Sequence, residues 1–545
     1  MKNAFNKIVG FFKTAFFRSG YFWAVVSGAL TSLTLYNKYL FFLTWISIIP
    51  LCYFLIKHND SIRRCFLLVF LWGLTYYTLL YTWFWSLHPL EFMGFSNQQS
   101  LIGVMTIWLS ISIAQTLQMS IMGLIYGLIK PKGIWAVFVL GALWVVLEWA
   151  QGYGIFAMNW GRLALSQYFF LPNIQSASLF GSLFISFLII CVNGLIGLYI
   201  RLRKTDKISN KALYIAASAI LIVNMTFGLI RMAVVNTKIK DNQTVNIATI
   251  QTNYPSEIKW QASQSEVFDA YYDLTLTAVE QGAQVIIWPE TTVTVSLEGT
   301  SYYEKLSSLS ADKNIYIFVG GYHEDEDLRL YNSLLGFYPD ESQNTVYNKR
   351  QLVPFGEFLP YEDFLNRFEA LEQLNLSEDA VTKGEKSVVF KTEHGSFSGL
   401  ICFDSLFQRF SYESVRDGAQ VLFVATNDSW YIKSQSIYQH FGHAVLRAVE
   451  NNRFLVRSAN AGVSGVISST GKTIKNIPTY TADYILEKIP LINQKTLYTI
   501  TGDLIAYIAL IGVTISFVYF RFLHGKEILK KIRQKVKSNQ TKKQL

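Results

Sequence analysis

The sequence predicts a multi-span α-helical membrane protein, with about eight transmembrane helices, that carries an exported α/β domain. Three observations lead there. Hydrophobic residues make up 51% of the 545-residue chain and charged residues only 16%, against about 25% charged in soluble globular proteins. The apolar residues gather into runs near the roughly 20 residues that cross a hydrocarbon core. One long stretch, 232–496, lacks such runs and differs in charge: it holds 22 basic and 32 acidic residues, a net of −10, while the remainder holds 26 and 6, a net of +20. Other classes fall away on the same numbers. Forty Phe, 31 Tyr and 13 Trp exclude intrinsic disorder, which needs few aromatics and high charge. Eleven Pro and 34 Gly exclude a collagen-like chain, and four Cys exclude a disulfide scaffold. The overall charge of +10 invites a nucleic-acid reading. The basic excess sits beside apolar runs, however, and the large polar segment is acidic, so nucleic acid is not an expected partner.

Eight apolar runs are read as spans: 20–36, 39–57, 65–86, 101–128, 134–151, 174–200, 212–231 and 497–521. The first two are short and share a turn at Asn37-Lys38, as one helical hairpin would. With eight spans, the basic loops all fall on one side. They are the N-terminal arm with Lys2, Lys7, Lys13 and Arg18, the loop with Lys57, Arg63 and Arg64, the loop with Lys130 and Lys132, and the loop from Arg201 to Lys211. The tail from Arg521 falls there too. The positive-inside rule makes that side cytoplasmic and places 232–496 outside. The expected organisation is a membrane domain 1–231 with seven spans, an exported domain 232–496, and a last span with its basic tail, 497–545. Tyr76, Tyr77, Tyr81, Trp83, Phe84 and Trp85 suit an interfacial aromatic belt. Glu148, near the outer end of span five, is a functional candidate as an intramembrane acid. The favoured reading is a helix-end residue hydrogen-bonded to Trp or backbone.

In the exported segment, apolar β-rich runs alternate with amphipathic stretches. Strands are predicted at 244–251, 284–288, 315–320, 331–338, 398–403, 420–426, 454–459 and 463–468, and helices at 263–281, 302–311, 408–417 and 437–450. Helix 437–450 ends among Arg447, Glu450 and Arg453, which predicts a charged outer face. Segment 357–384 is acidic and aromatic without a clean period, and reads as a surface excursion or lid.

Three residues at strand ends carry the chemistry. Glu290 follows a strand in Trp-Pro-Glu-Thr, Lys349 follows another in Tyr-Asn-Lys-Arg, and Cys402 closes a third in Ile-Cys-Phe-Asp. Catalytic groups gather at the carboxyl ends of strands in α/β sheets. A thiol nucleophile needs a base for its proton and a cation for thiolate and oxyanion, and Glu, Lys and Cys supply those roles. The bland alternatives are a helix N-terminal acid, a surface charge and a core thiol. His440 and His443 have metal-like spacing but lack completing ligands, so structural histidines are favoured. A Cys402–His440 dyad is the rival catalytic reading.

Together the three motifs resemble the nitrilase superfamily, whose site is a Glu-Lys-Cys triad. The flanks narrow the resemblance: WPET, YNKRQLVPFGEFLP, ICFDS, NDSWY, Gln439-His440 and RAVENNRFLVRSANAGVSG, with LWVVLE at 143–148, look like the apolipoprotein N-acyltransferase family. That resemblance implies an αββα nitrilase-like sandwich between spans seven and eight. It implies Glu290 as general base, Lys349 as oxyanion stabiliser and Cys402 as acyl-carrying nucleophile. Glu357 matches a second acid near the triad, and the Phe403 N–H would complete the oxyanion hole. Asp404 stands where the family commonly has Glu. Trp260 matches a mobile aromatic at the mouth of the site, and Phe358 and Trp430 are read as gating residues beside it. The implied reaction moves a fatty acyl chain from a membrane phospholipid, through a Cys402 thioester, to the N-terminal amine of diacylglyceryl apolipoproteins. The implied partners are the phospholipid donor, those apolipoproteins and membrane lipids. A monomer is expected in the bacterial cytoplasmic membrane, with its catalytic domain on the periplasmic face and with no metal or organic cofactor required. Two other readings remain: a membrane-tethered nitrilase-type amidase, and a non-enzymatic lipid transporter or lipoprotein-binding protein.

Overall fold

In lipid, each backbone polar group must be paired within its own segment, so the apolar runs become helices. The computed structural model describes residues 19–91, 94–203, 207–254, 263–340, 345–358, 381–431 and 434–544. Helix α1 is Tyr21–Tyr36. A broken span then runs from a 3-10 turn at Lys38–Leu43 into α2, Ile49–Lys57. Next come α3 (Ile62–Leu80), α4 (Asn97–Ile129), α5 (Trp135–Ala150), α6 (Ser182–Leu202) and α7 (Lys207–Lys238). Among the described residues, six segments are long and apolar enough to cross a membrane: Lys38–Lys57, Ile62–Leu87, Asn97–Ile129, Ser182–Leu202, Lys211–Asp241 and Leu504–Lys526. The apolar α1 and α5 are shorter.

Two expected spans start later than their apolar runs. The run at 174–200 opens as short turns and becomes a helix only after Gly181, whose φ is +78°. The run at 497–521 opens with a turn at Leu497–Thr501 and restarts at Leu504. The two breaks meet: a Cβ on Gly181 would lie 2.4 Å from the Tyr498 ring. The interfacial belt is also corrected. Tyr76, Tyr77 and Tyr81 are buried, as are Trp83 and Phe84, and only Trp85 of the six is exposed. Tyr76 stacks on Trp72 and donates to the Gly161 carbonyl, and Tyr77 accepts from Gln151. Their polar tips find partners inside the bundle, so the rings need no water.

The segment between α7 and the last helix folds as two six-stranded sheets, face to face. The first has the order β12-β1-β2-β3-β4-β5 and the second β11-β10-β9-β8-β7-β6. The strands of the first are β1 (Thr244–Gln251), β2 (Val285–Ile287), β3 (Tyr316–Glu324), β4 (Leu330–Phe337), β5 (Thr345–Asn348) and β12 (Asp483–Pro490). Those of the second are β6 (Phe390–Thr392), β7 (Gly395–Ile401), β8 (Val421–Asn427), β9 (Phe454–Asn460), β10 (Ser464–Ile467) and β11 (Thr473–Ile477). The central strands β1, β2, β3 and β7, β8, β9 pair in parallel. Helices α8 (Gln264–Glu280) and α9 (Ser301–Lys313) cover the first sheet, and α10 (Gln408–Arg416) and α11 (Ser436–Asn451) cover the second. Parallel strands with both faces covered read as continuous apolar runs, and β8 shows how. Val421, Phe423 and Ala425 face the inter-sheet core, where Phe423 stacks on Phe318, while Leu422 and Val424 face the helices behind.

The layer of α10 and α11 shares one continuous hydrophobic core with the membrane helices. The expected charged outer face of α11 is therefore wrong. Arg447, Glu450 and Arg453 are all buried, because that face meets protein rather than water. Arg447 pairs with Glu450 at 2.7 Å, and Glu450 accepts the Ser182 N–H at the start of α6. From the membrane domain, Trp160 donates to Gln439 at 2.6 Å and Arg162 donates to Gln408 at 2.6 Å. Gln408 in turn donates to Asp503, beside the start of the last helix, α12 (Leu504–Gln544).

Candidate active site

Both sheets aim their parallel strand ends at one place, and the polar residues there converge. Glu290 lies three residues beyond β2. A Cβ on Gly320 would meet the Pro289 carbonyl oxygen at 2.1 Å, so glycine alone lets the Pro289-Glu290 backbone lie across β3. Lys349 directly follows β5, and its N–H donates to the Asn332 carbonyl. Cys402 follows β7 as the first residue of a 3-10 turn, Cys402–Leu406, with φ at +46°. A non-glycine residue held in that left-handed region stores strain, and such strain clusters at functional sites.

Lys349 Nζ lies 2.8 Å from Glu290 Oε1 and 2.8 Å from Glu357 Oε1, with the ammonium almost fully buried. Lys349 is thus no surface charge. Asn332 of β4 spans the same two carboxylates, donating to Glu290 at 2.9 Å and to Glu357 at 2.8 Å. The remaining oxygen of Glu290 accepts the Asn427 N–H at 2.9 Å, and that of Glu357 accepts the Val353 N–H at 2.9 Å. Burial alone would raise the Glu290 carboxyl. The Lys349 charge, with the bonds from Lys349, Asn332 and Asn427, outweighs burial and holds it below the usual carboxylate range. Burial lowers Lys349, but Glu290 and Glu357 more than offset that and raise it well above its ordinary value. The Cys402 thiol is raised, first by burial and then by the Glu290 charge, with Lys349 opposing. The resting site therefore holds a protonated thiol and an ionised carboxylate.

Asp404 accepts from the Tyr347 hydroxyl at 2.8 Å and from the N–H groups of Gln351 at 2.7 Å, Arg350 at 3.2 Å and Ile401 at 3.2 Å. It stitches the loop after Lys349 to the turn that carries Cys402. Phe403 is buried in that turn. Phe358 is half-buried and bridges to Pro354, and Trp430 is half-buried in the turn after β8. Trp260 lies outside the described residues, as does 359–380, most of the expected lid. Glu148 accepts from Trp144 at 2.9 Å and from the Leu163 N–H at 3.0 Å, in line with the helix-end reading. His440 contacts the Cys402 carbonyl oxygen at 3.1 Å rather than its thiol, so the geometry gives no support to a Cys402–His440 dyad. Sequence reasoning missed Asn332, Tyr347 and Thr426, whose hydroxyl donates to Asp428 at 3.0 Å. Polar residues inside apolar strand runs were the signal available.

The sequence profile described as carbon-nitrogen hydrolase matches residues 246–493, and that described as apolipoprotein N-acyltransferase N-terminal domain matches 27–195. The apolipoprotein N-acyltransferase of Gloeobacter violaceus is 28% identical over 477 residues, 86% of this chain and 89% of its own length. That of Geobacter metallireducens is 27% identical over 508 residues, 91% and 94% of the two chains. That of Thermotoga maritima is 26% identical over 512 residues, 93% and 94%. Among solved structures, an amidase from Nesterenkonia sp. superposes with a TM-score of 0.36 at 19% identity, over 46% of this chain and 92% of its own.

Proposed function

We propose, from the premise that the chain belongs to the apolipoprotein N-acyltransferase family, that it moves a fatty acyl chain from a membrane phospholipid to the N-terminal amine of diacylglyceryl-cysteine on apolipoproteins. One observation carries this reading beyond amide hydrolysis. The helix layer behind Cys402 is built into the membrane helices as one core, with Trp160 and Arg162 hydrogen-bonded to Gln439 and Gln408. A hydrolase of soluble amides needs no such base, whereas an enzyme whose donor sits in the leaflet does.

In the first half-reaction, Cys402 Sγ attacks the ester carbonyl carbon while Glu290 takes the thiol proton. Lys349 Nζ and the Phe403 N–H hold the oxyanion. Collapse breaks the ester C–O bond, Glu290 returns its proton to the departing alkoxide, and a lysophospholipid leaves behind a Cys402 thioester. In the second half-reaction, the lipoprotein α-amine attacks the thioester. Glu290 takes the amine proton and gives it to the thiolate as the amide forms. Glu357 and Asn332 keep the Lys349 ammonium between the two acids throughout. Trp260, Phe358 and Trp430 gate the mouth. No metal or organic cofactor enters either step. The chain acts as a monomer with 1–231, 232–496 and 497–545 as its parts. Its two shorter apolar helices bring the spans to eight, with 232–496 on the periplasmic face of the cytoplasmic membrane. This orientation rests on the basic loops and the acidic exported segment.

The test is a labelled phospholipid incubated with purified protein, then with a diacylglyceryl-cysteine peptide. Label should appear on Cys402 and pass to the peptide, and Cys402→Ala should carry none. Label released only to water, with or without peptide, would favour the membrane-tethered amidase reading.

A further inference from the structure

Behind Cys402 lies a second group of ionisable side chains that the proposed reaction does not use. Asp428, His440 and Arg457 come from the end of β8, from α11 and from β9, and each is fully buried. Arg457 donates to Asp428 at 2.5 Å, and the His440 Nδ1 lies 2.9 Å from Asp428 and 3.2 Å from Arg457. The other nitrogen, Nε2, lies 3.1 Å from the Cys402 carbonyl oxygen and 3.0 Å from the Ser405 hydroxyl. Ser405 donates to that same carbonyl at 2.7 Å. A carbonyl oxygen only accepts, so the His440 contact requires a proton on Nε2.

The consequence runs through the peptide plane. In a planar trans peptide the C=O of one residue and the N–H of the next point in opposite directions. Fixing the Cys402 carbonyl toward His440 and Ser405 therefore fixes the Phe403 N–H toward the opposite side of the turn. The turn needs fixing, because Cys402 sits at φ +46°, where a non-glycine residue persists only if its surroundings over-determine it. Two donors on the carbonyl also polarise the amide and strengthen its N–H as a donor.

We propose that His440 and Ser405 are positioning residues for acyl transfer: together they lock and polarise the Cys402–Phe403 peptide so that its N–H meets the oxyanion, with Asp428 and Arg457 holding the imidazole in place. This rests on reading Cys402 as the acyl-carrying nucleophile.

The test compares two reactions of one thiol in the full-length protein. Alkylation by iodoacetamide displaces iodide and builds no oxyanion. Acylation by labelled phospholipid, or by p-nitrophenyl acetate, passes through one. Ser405→Ala and His440→Gln should each slow acylation by about 10- to 100-fold, at or below the loss typical of an oxyanion donor removed outright. KM and the alkylation rate should stay unchanged. Acylation at the wild-type rate, or acylation and alkylation falling together, would overturn the proposal. Should His440→Gln fail to fold, Ser405→Ala leaves every charged group in place and decides alone. Wild-type protein that reacts with the nitrophenyl ester but not with phospholipid would sink the proposed function while this comparison still stands on the ester. Wild-type protein acylated by neither would overturn both.

Discussion

Asp404 accepts the backbone N–H of Gln351 at 2.7 Å, across 53 residues of sequence. Lys349 and Cys402 arrive on different sheets, so nothing in either sheet alone sets their separation. This buried carboxylate ties the loop after one to the turn that begins with the other. Its short side chain reaches four donors.

That tie should leave a signature in stability against pH. Burial pushes the Asp404 carboxyl up to about 6, against the opposing pull of Lys349, Tyr347 and two N–H groups. Unfolded, the same group titrates near its ordinary 3.8. Between those values the folded protein holds the extra proton, so this group's contribution is fully present below about pH 4 and is lost as pH rises through 6. A shift of roughly two units corresponds to about 3 kcal/mol. Asp404→Asn cannot titrate. The gap between wild-type and variant melting temperatures in detergent should change over pH 4–6 and level off above it. Parallel curves would show that Asp404 does not titrate there. Asp428 acts in the opposite sense: burial would raise it, but Arg457 and His440 outweigh that and hold it low, so its contribution is present above about pH 4 and lost in stronger acid.

Glu357→Gln should slow thioester formation by at least about 10-fold while leaving KM unchanged, a loss at or below the scale of general acid–base catalysis. Lys349 now divides its ammonium between two carboxylates at equal distance. With Glu357 neutral, the ammonium settles on Glu290 and weakens it as a base for the thiol. The check is the burst rate of acyl-enzyme from labelled phospholipid. A burst at the wild-type rate would remove Glu357 from the machinery and leave it a loop anchor through Val353.

Much of this was legible in the sequence, for physical reasons that also mark where reading stopped. Strands such as β1 and β8, buried on both faces, announce themselves as unbroken apolar runs. The sequence reading missed four strands: short β5 and β6, β11 with four of its five residues exposed, and β12 with only Ile485 and Ile489 buried, because none offers an apolar run to see. Glu290 and Cys402 stood out because each ends an apolar run, and Lys349 through its motif Tyr-Asn-Lys-Arg. Asn332 did not, although it touches both acids, because one amide in the middle of a strand reads as a local blemish. The charged end of α11 misled for a different reason. A helical period separates an apolar stripe from a polar one but cannot say whether water or another part of the protein meets the polar stripe. For Arg447 and Glu450 it is the start of α6.

Topology can be read with thiols, because all four native cysteines are free and buried and so give little background. Ser308 on α9 and Asp60 in the turn before α3 are both exposed. In intact cells whose outer surface is permeable to small reagents, an impermeant maleimide should label Ser308→Cys at once and Asp60→Cys only after lysis. The reverse pattern would put the catalytic domain in the cytoplasm and end the proposed reaction on exported lipoproteins.

The last prediction concerns the seam between the two parts of the molecule. Arg162, in the loop between α5 and α6, is buried and donates to Gln408 at 2.6 Å and to the Glu148 carbonyl at 3.3 Å. Gln408 opens α10, six residues after Cys402, and also donates to Asp503 at 3.1 Å. Arg162 thus links α5 to the segment that follows Cys402, and through Asp503 to the last helix. Losing a buried hydrogen bond to a charged group costs about 1.5–3 kcal/mol. Arg162→Leu should therefore lower the melting temperature in detergent and slow acylation. Gln408→Leu should do the same, by leaving the guanidinium with the Glu148 carbonyl but without its shorter bond. The double variant removes both polar groups, so its loss should be smaller than the sum of the singles by at least about 1 kcal/mol, beyond the roughly 0.5 kcal/mol within which independent sites add. Denaturation of all four proteins in one detergent measures that coupling. Losses that simply add would mean that Arg162 serves the membrane helices alone and that the catalytic domain is held by its apolar seam.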